Sequence, residues 1–259
     1  MHIPTLIPEV IGHLGKISIT NTMINAMLGT IIFLVVGILI KRSIGLRPSG
    51  IQNFFEHILE MLMEYFDQVT GDRKKTLRFL PVVGSVFFFI LLSNWLGLLP
   101  GTGSLTWNHK MILRPANTDL NLTLAMALFA VIASHVFGFI TVGVFTYFNK
   151  FIQIGTLVKS FKHGPVAVFT AVVEMVVGLI ELVGEAAKVL SLSLRLFGNI
   201  FAGEVLISVI SAIAGLLVPT PFMLLELLVG LIQASVFAML TLVYLTVATM
   251  EMHGDSEQH

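Results

Sequence analysis

The sequence predicts an all-α polytopic membrane protein: five membrane helices, one amphipathic surface helix, and a C-terminal pair forming a long, strongly tilted antiparallel hairpin. The chain has 259 residues, 56% of them hydrophobic and 12% charged, and its mean hydropathy is +0.93; average soluble chains carry about 25% charged residues. Apolar stretches long enough to cross a bilayer recur along it. The formal net charge of zero argues against nucleic-acid binding, and the absence of cysteine excludes disulfides and thiolate metal sites.

The first half of the chain holds three predicted membrane helices, at 22–40, 80–99 and 120–147. Segment 51–68 differs from them because its apolar side chains recur on one helical face and its acidic side chains on the other. This pattern is typical of an amphipathic helix on the membrane surface or against a partner. Residues 1–16 lack a basic stretch followed directly by an apolar core, so we expect no cleavable signal peptide.

Segment 166–217 is too long for one perpendicular crossing. As a single helix it would be about 75 Å long, whereas the apolar core of a bilayer is about 30 Å thick. It contains no proline and no turn cluster. We therefore favour one long, strongly tilted helix over two crossings with a bend near Gly184. The last helix, 222–250, follows a proline-containing turn.

The loops differ in their content of Lys and Arg. Seven such residues lie in 41–78 and three in 146–165, against only Lys16, Lys110 and Arg114 on the alternate side. Because Lys and Arg are concentrated in cytoplasmic loops, we expect the N-terminus outside. The C-terminal tail is then cytoplasmic, provided that 166–217 crosses once.

Ionisable residues form one stripe along segment 166–217. Residues seven apart share a face of a helix. The stripe consists of Glu174, Glu181, Lys188 and Arg195, with Glu185 and Asn199 close to it. Arg195 stands out because a charge at the bilayer centre costs about 2.5–3.5 kcal/mol on insertion scales, which makes it a functional-site candidate. A structural ion pair with Glu204 or Glu185 is the alternative.

The position of Glu204 and the pattern of the last helix add to this picture. Glu204 comes nine residues after Arg195 and should face the other side of the helix unless a glycine distorts it. Glu226 and Gln233 are seven apart and share a face of the last helix. Two polar-striped helices joined by a short turn are expected to pack as an antiparallel pair.

Three motifs, in order, resemble those of subunit a of rotary F-type ATP synthases. Residues 193–204 read SLRLFGNIFAGE, residues 115–123 read PANTDLNLT, and residues 231–237 read LIQASVF. Order, spacing and length match across essentially the whole chain. The resemblance implies a near-horizontal helical hairpin against a ring of c subunits, in a stator subunit that carries no nucleotide chemistry. It also implies contact with subunit b of the peripheral stalk, the rest of the synthase complex and the lipid bilayer. The chain's length and N-terminus favour a bacterial inner membrane.

By this resemblance, Arg195 would be the essential arginine that faces the c ring. Its fixed charge would favour the ionised form of each passing c-subunit carboxylate, and arginine stays charged at any accessible pH. The positions that match the outer half-channel or border the arginine are Glu204, Glu226, Asn199, Asp119, Asn121 and Gln233. The candidates for the inner half-channel are Glu181, Glu185 and Ser191, and Lys188 is expected to pair with Glu181, Glu185 or both.

One departure from the family concerns the coupling ion. Many members carry a histidine at the Glu226 or Glu204 position and a carboxylate at the other, whereas this chain has Glu at both. Two neighbouring carboxylates repel, so one of them is expected to hold a proton. That arrangement suits a proton relay, but it also suits part of a sodium site. We expect no cofactor and no resident metal.

Several candidates have simpler alternatives. Glu204 and Glu226 could pin two helices through mutual hydrogen bonds, and Asp119 could serve only as a helix N-cap. Glu181 and Glu185 could extend toward the inner surface. His135 lies among small residues, which favours a hydrogen-bonded core histidine over a proton relay. A self-contained transporter is disfavoured because the chain shows no inverted repeat, and a mere scaffold would not need five ionisable groups along one helix.

Overall fold

The computed structural model describes residues 5–43, 50–99, 106–107, 110–144, 146–147, 165–215 and 218–250. The long helices in these residues are α1 Asn21–Ser43, α2 Ile51–Thr70, α3 Arg73–Leu98, α4 Leu120–Val142, α5 Pro165–Ala214 and α6 Pro219–Thr249. All except α2 are long and apolar enough to cross a membrane. The predicted fold class is confirmed.

The amphipathic helix α2 packs against α3 through Leu62 and Phe66, which are buried. α3 begins seven residues before the predicted start because the side chain of Asp72 caps it, accepting a hydrogen bond from the backbone N–H of Lys74 at 2.9 Å. Arg73 in the first turn donates to Asp67 of α2 at 2.7 Å. The charged stretch therefore forms the start of a membrane helix and its tie to α2.

Two short antiparallel ladders were not predicted. The first pairs β1 Val10–Leu14 with β2 Ile17–Thr20, and the second pairs β3 Thr106–Trp107 with β4 Lys110–Met111. Each is too short to show a clear alternation of polar and apolar residues. The first ladder leads directly into α1, because the backbone N–H of Asn21 donates to the carbonyl of Glu9 at 3.1 Å.

α5 is one uninterrupted helix of 50 residues, as favoured from the absence of a break in its sequence. α6 runs antiparallel to it, since successive contacts pair Lys188 with Tyr244, Asn199 with Gln233, and Gly203 with Glu226. The core is formed mainly by α3, α4, α5 and α6. α5 is nevertheless largely exposed: only 11% of its most apolar window is buried, against 44% for α3 and 39% for α6.

Some residues used in the sequence argument lie outside the described ranges. They are Arg47, Lys150, Lys159, Lys162 and the tail 251–259, on which the orientation depends.

Candidate functional site

Arg195 lies on the exposed side of α5. Its Nη2 donates to the hydroxyl of Ser191, one turn earlier, at 3.3 Å. Within the described ranges it forms no ion pair, because the two carboxylates considered as structural partners have other cations: Glu185 pairs with Lys188, and Glu204 with Arg114. The structure therefore does not support the structural ion pair as an explanation for Arg195.

Glu204 lies on the opposite side of α5, as its spacing from Arg195 predicts, and contacts Arg114. The guanidinium donates from Nε to Oε1 at 2.9 Å and from Nη2 to Oε2 at 2.8 Å, the bidentate geometry of strong arginine–carboxylate pairs. Both side chains are largely buried, with 5% and 15% of their surface exposed. Asn25 of α1 holds the backbone of Arg114 in place by donating to its carbonyl at 2.7 Å.

Glu226 lies on α6 against the same part of α5. A methyl group on Gly203 would overlap the Glu226 carboxyl group, so glycine is required for this approach. The Glu226 side chain is buried, and its Oε1 has no hydrogen-bond partner among the described residues. Burying an ionised carboxylate without a partner costs several kcal/mol, so this site suits a carboxyl group that carries a proton.

A small cavity of about 40 Å³ reaches the Arg114–Glu204 pair from the N-terminal segment. At about 10–15 Å³ for each water centre, it has room for roughly three waters. Its lining consists of Thr5, Glu9, Asn21, Met111, Arg114, Glu204 and Ser208. Water in this cavity would contact a carboxylate that lies within the membrane segment.

Buried amides continue the polar interior from this region. Asn94 of α3 accepts from Asn117 at 2.7 Å and donates to the carbonyl of Gly230 in α6 at 3.3 Å. One turn beyond Arg195, Asn199 donates to the Gln233 side chain at 2.7 Å and so joins α5 to α6. We call Arg114, Glu204, Glu226, Asn94 and Asn117 together the Glu226 cluster.

Asp119 and Asn121 occupy a different place from the other predicted outer residues. Asp119 is the N-cap of α4: it accepts from the backbone N–H of Asn121 at 2.9 Å and from the hydroxyl of Thr22 at 3.1 Å. The side chain of Asn121 is exposed. Asp119 therefore does cap α4, and its bond to Thr22 holds the start of α4 beside α1.

A second polar cluster lies on the other side of Arg195. Lys188 binds Oε1 of Glu185 at 2.7 Å, which confirms the predicted pairing with Glu185. Oε2 of Glu185 is 3.7 Å from Nε2 of His135 on α4, and Nδ1 of His135 lies 2.8 Å from the hydroxyl of Tyr147. Lys188 also lies 5.0 Å above the ring of Tyr244. We call these five residues the Glu185 cluster.

Along α5, the two clusters flank Arg195 at similar separations. Glu185 comes ten residues before it and Glu204 nine residues after it, which is about 15 Å and about 14 Å at 1.5 Å per residue. Of the predicted inner residues, Glu181 lies one turn before Glu185 and is half-buried, and Ser191 contacts Arg195 itself.

Sequence reasoning missed Arg114, Asn94 and Asn117 as members of the site. The available signal was local: Arg114 lies directly before the PANTDLNLT motif and Asn117 within it, and a carboxylate at membrane depth needs a counter-charge. The prediction that Glu204 and Glu226 repel one another did not take Arg114 into account. Arg114 balances the charge of Glu204.

Comparisons with known proteins agree with this architecture. Residues 22–246 match the ATP synthase A chain family. The chain is 34% identical over 242 residues to ATP synthase subunit a of Moorella thermoacetica, covering 92% of this chain and 94% of the relative. It is 34% identical over 250 residues to the subunit of Mycobacterium marinum (93% and 91% covered), and 32% identical over 246 residues to that of Gloeobacter violaceus (93% and 89% covered). The chain therefore belongs to the family of ATP synthase subunit a, the non-catalytic, proton-translocating stator subunit of the membrane sector of F-type ATP synthases.

Proposed function

We propose that this chain forms two offset half-channels that meet at Arg195 and couple proton flow to rotation of a c ring. The observation that carries the proposal is the position of Arg195. Its guanidinium is exposed on α5, has no carboxylate partner within the described ranges, and lies between two polar clusters on opposite sides. A partner outside this chain would supply the missing carboxylate.

The chemistry at Arg195 is electrostatic. Two unit charges 4 Å apart attract by about 4 kcal/mol at an effective dielectric constant of 20, so a passing rotor carboxylate releases its proton as it approaches the guanidinium. It takes up a proton again after it has moved away on the other side. Because arginine does not lose its own proton, it also prevents protons from passing directly between the half-channels. Each charge that crosses contributes about 2.3 kcal/mol per 100 mV.

The Glu226 cluster forms the outer half-channel in this proposal. Water in the cavity at Arg114 and Glu204 delivers protons, and Glu226 holds the mobile proton because its carboxyl group has no cation beside it. Asn199 and Gln233 border the route at Arg195. Asp119 and Asn121 contribute by fixing the start of α4 beside α1.

The Glu185 cluster, with Glu181 and Ser191, forms the inner half-channel. Lys188 balances the charge of Glu185 and keeps its side chain directed toward α4. The hydroxyl of Ser191 contacts the Arg195 guanidinium and marks the end of the inner route.

The partners and the orientation follow the same proposal. The c ring would cover the exposed face of α5, and subunit b of the peripheral stalk would contact α1, of whose most apolar window only 11% is buried within the chain. The uneven distribution of Lys and Arg supports an outside N-terminus and a cytoplasmic C-terminus. The bacterial relatives support a bacterial inner membrane.

The test is proton flux in liposomes that contain the whole synthase, with wild type compared with Arg195→Ala. We expect the variant to lose ATP-driven proton pumping, because nothing then forces the rotor carboxylate to release its proton. Arg73→Ala is the matched control, since Arg73 pairs with Asp67 at an exposed site. Unchanged coupled pumping in Arg195→Ala would overturn the proposal. Varying sodium in the same assay identifies the coupling ion, because only sodium coupling makes the wild-type rate depend on it.

A further inference from the structure

We propose that His135 is a proton-carrying residue of the inner half-channel and that Tyr147 positions it. This inference rests on the proposed role of the Glu185 cluster. Sequence reasoning favoured a hydrogen-bonded core histidine, and the bond to Tyr147 confirms the hydrogen bond. The structure adds a second contact, which the sequence could not show: Nε2 of the ring faces the carboxylate of Glu185 on α5.

The imidazole can take up and release a proton at Nε2 without turning. Nδ1 lies 2.8 Å from the Tyr147 hydroxyl, which can either donate or accept. When Nδ1 donates to the phenol oxygen, neutral Nε2 presents a lone pair toward Oε2 of Glu185, 3.7 Å away. Protonation then forms an N–H bond at Nε2 that points at this carboxylate, and deprotonation returns the ring to the same position.

Tyr147 is held firmly enough to orient the histidine. Its ring is buried and packs edge-to-face against Phe139, with centroids 4.8 Å apart. It also fills the space above Gly138, where a methyl group would overlap the phenol ring. The absence of a side chain at Gly138 therefore lets the Tyr147 hydroxyl reach His135 on the same face of α4.

The groups around His135 differ from it in their proton chemistry. From α5, Glu181, Glu185 and Lys188 lie on this side, and the last two neutralise one another. From the other elements come the phenols of Tyr147 and Tyr244. Phenols exchange protons far above neutral pH, whereas imidazole is the side chain that does so close to it. The imidazole of His135 is therefore the side chain of the Glu185 cluster whose chemistry best suits proton exchange.

The proposed step is balanced without any co-reactant. The O–H bond of the rotor carboxyl group breaks as it nears Arg195, and its proton reaches Nε2 of His135 through water. The N–H bond formed there breaks again when the proton passes to the inner aqueous phase. The carboxylate of Glu185, 3.7 Å away, stabilises the imidazolium between these two events.

The experiment measures ATP-driven pumping by the whole complex in liposomes while the pH of the inner and outer phases is varied separately. We expect His135→Gln to lower the pumping rate by about tenfold, less than a positioned acid–base group contributes in catalysis because water can bypass the ring. It should also remove the part of the rate dependence on inner pH that comes from the imidazole and leave the dependence on outer pH unchanged. Imidazole added on the inner side should restore pumping in His135→Ala.

Two further variants keep the inference testable. Tyr147→Phe retains the ring and its packing but removes the hydroxyl, so it should shift the inner pH profile while the complex stays assembled. His57→Gln, on the exposed side of α2, should change neither profile. An unaltered inner pH profile in both His135→Gln and Tyr147→Phe would overturn this inference. Arg195→Ala measured in parallel separates the two proposals: if it retains coupled pumping, the proposed function itself is wrong.

Discussion

The two clusters on either side of Arg195 are built differently. In the Glu226 cluster the side chains of Arg114, Glu226, Asn94 and Asn117 are buried, and they come from α3, α6 and the segment before α4. In the Glu185 cluster, His135 and Lys188 keep 24% and 33% of their side-chain surface exposed. The Glu226 cluster is therefore mostly buried within this chain, whereas the Glu185 cluster lies closer to a surface that a neighbouring subunit can cover.

The two clusters also differ in how completely their buried oxygen atoms are hydrogen-bonded. Oε1 of Glu226 and Oδ1 of Asn117 are buried without a partner among the described residues, although buried polar groups are normally hydrogen-bonded. In the Glu185 cluster, Oε1 of Glu185 binds Lys188 and Oε2 faces His135. The Glu226 cluster thus contains buried oxygen atoms without a protein partner among the described residues, whereas the Glu185 cluster is a partly exposed, connected network of ion pairs and hydrogen bonds.

The contrast between the two clusters predicts the largest loss of proton flux for a change at Glu226. Glu226→Gln keeps the size and polarity of the side chain but removes the site that binds a proton. We expect outer-side proton flux through the membrane sector to fall by at least about 100-fold, as for a positioned proton-transfer group. The amount of subunit a in the purified complex should stay unchanged, because no ion pair is broken. Passive flux in liposomes, driven by a potential and measured with a pH-sensitive dye, provides the test.

Glu226→Asp is the matched control for this change. It retains an ionisable carboxyl group with one methylene fewer beside Gly203, so it should keep a substantial part of the flux. Equal flux in wild type and Glu226→Gln would mean that the route on this side does not pass through Glu226, and the contrast between the clusters would then lose its functional meaning.

The sequence was sufficient for the features that depend on local periodicity. Five apolar helices, the long α5 and the opposed faces of Arg195 and Glu204 all follow from helical spacing within one segment. The antiparallel pairing of Asn199 with Gln233 follows from two polar stripes and a short turn. These features need only the 3.6-residue period and the thickness of a bilayer.

The sequence was insufficient where the partners are far apart along the chain. Arg114 and Glu204 are separated by 90 positions, and Asn94 and Asn117 belong to different elements. No periodicity connects such residues, because their contact depends on how α3, α5 and the segment before α4 pack together. His135 and Tyr147 are only 12 positions apart, but α4 ends at Val142, so a helical wheel could not place the tyrosine.

The second prediction compares the ion pairs of the two clusters. Arg114→Gln leaves Glu204 charged and buried, which costs about 3–5 kcal/mol, so we expect a clear fall in the thermal midpoint at which subunit a leaves the complex. Lys188→Gln breaks a pair of which Lys188 is one-third exposed, and such pairs contribute about 0–1 kcal/mol. Thermal dissociation of the purified complexes, followed by gel analysis of subunit a, measures both.

A double variant distinguishes loss of charge balance from loss of packing. Arg114→Gln combined with Glu204→Gln removes both charges and should recover most of the lost thermal stability. If the double variant is no more stable than Arg114→Gln alone, the guanidinium stabilises the fold through contacts such as its stacking over Phe201 at 5.9 Å. Equal losses in Arg114→Gln and Lys188→Gln would contradict the difference in burial between the clusters.

The smallest expected effect concerns the link between the Glu226 cluster and Arg195. Gln233 is buried, and Gln233→Leu leaves Asn199 without its 2.7 Å partner. A net hydrogen bond contributes about 1 kcal/mol, which corresponds to about a fivefold slower coupled pumping rate if the bond orders the site during transfer.

Exchanging the two residues, as Asn199→Gln with Gln233→Asn, preserves both amides and the combined side-chain length, so it should recover most of the rate. Ser235→Ala is the control on the same helix, since that hydroxyl donates to the carbonyl of Leu231 within α6. If the exchanged pair pumps no faster than Gln233→Leu, the amide bond does not carry the route from the Glu226 cluster to Arg195. The route then reaches Arg195 from Glu226 through water alone.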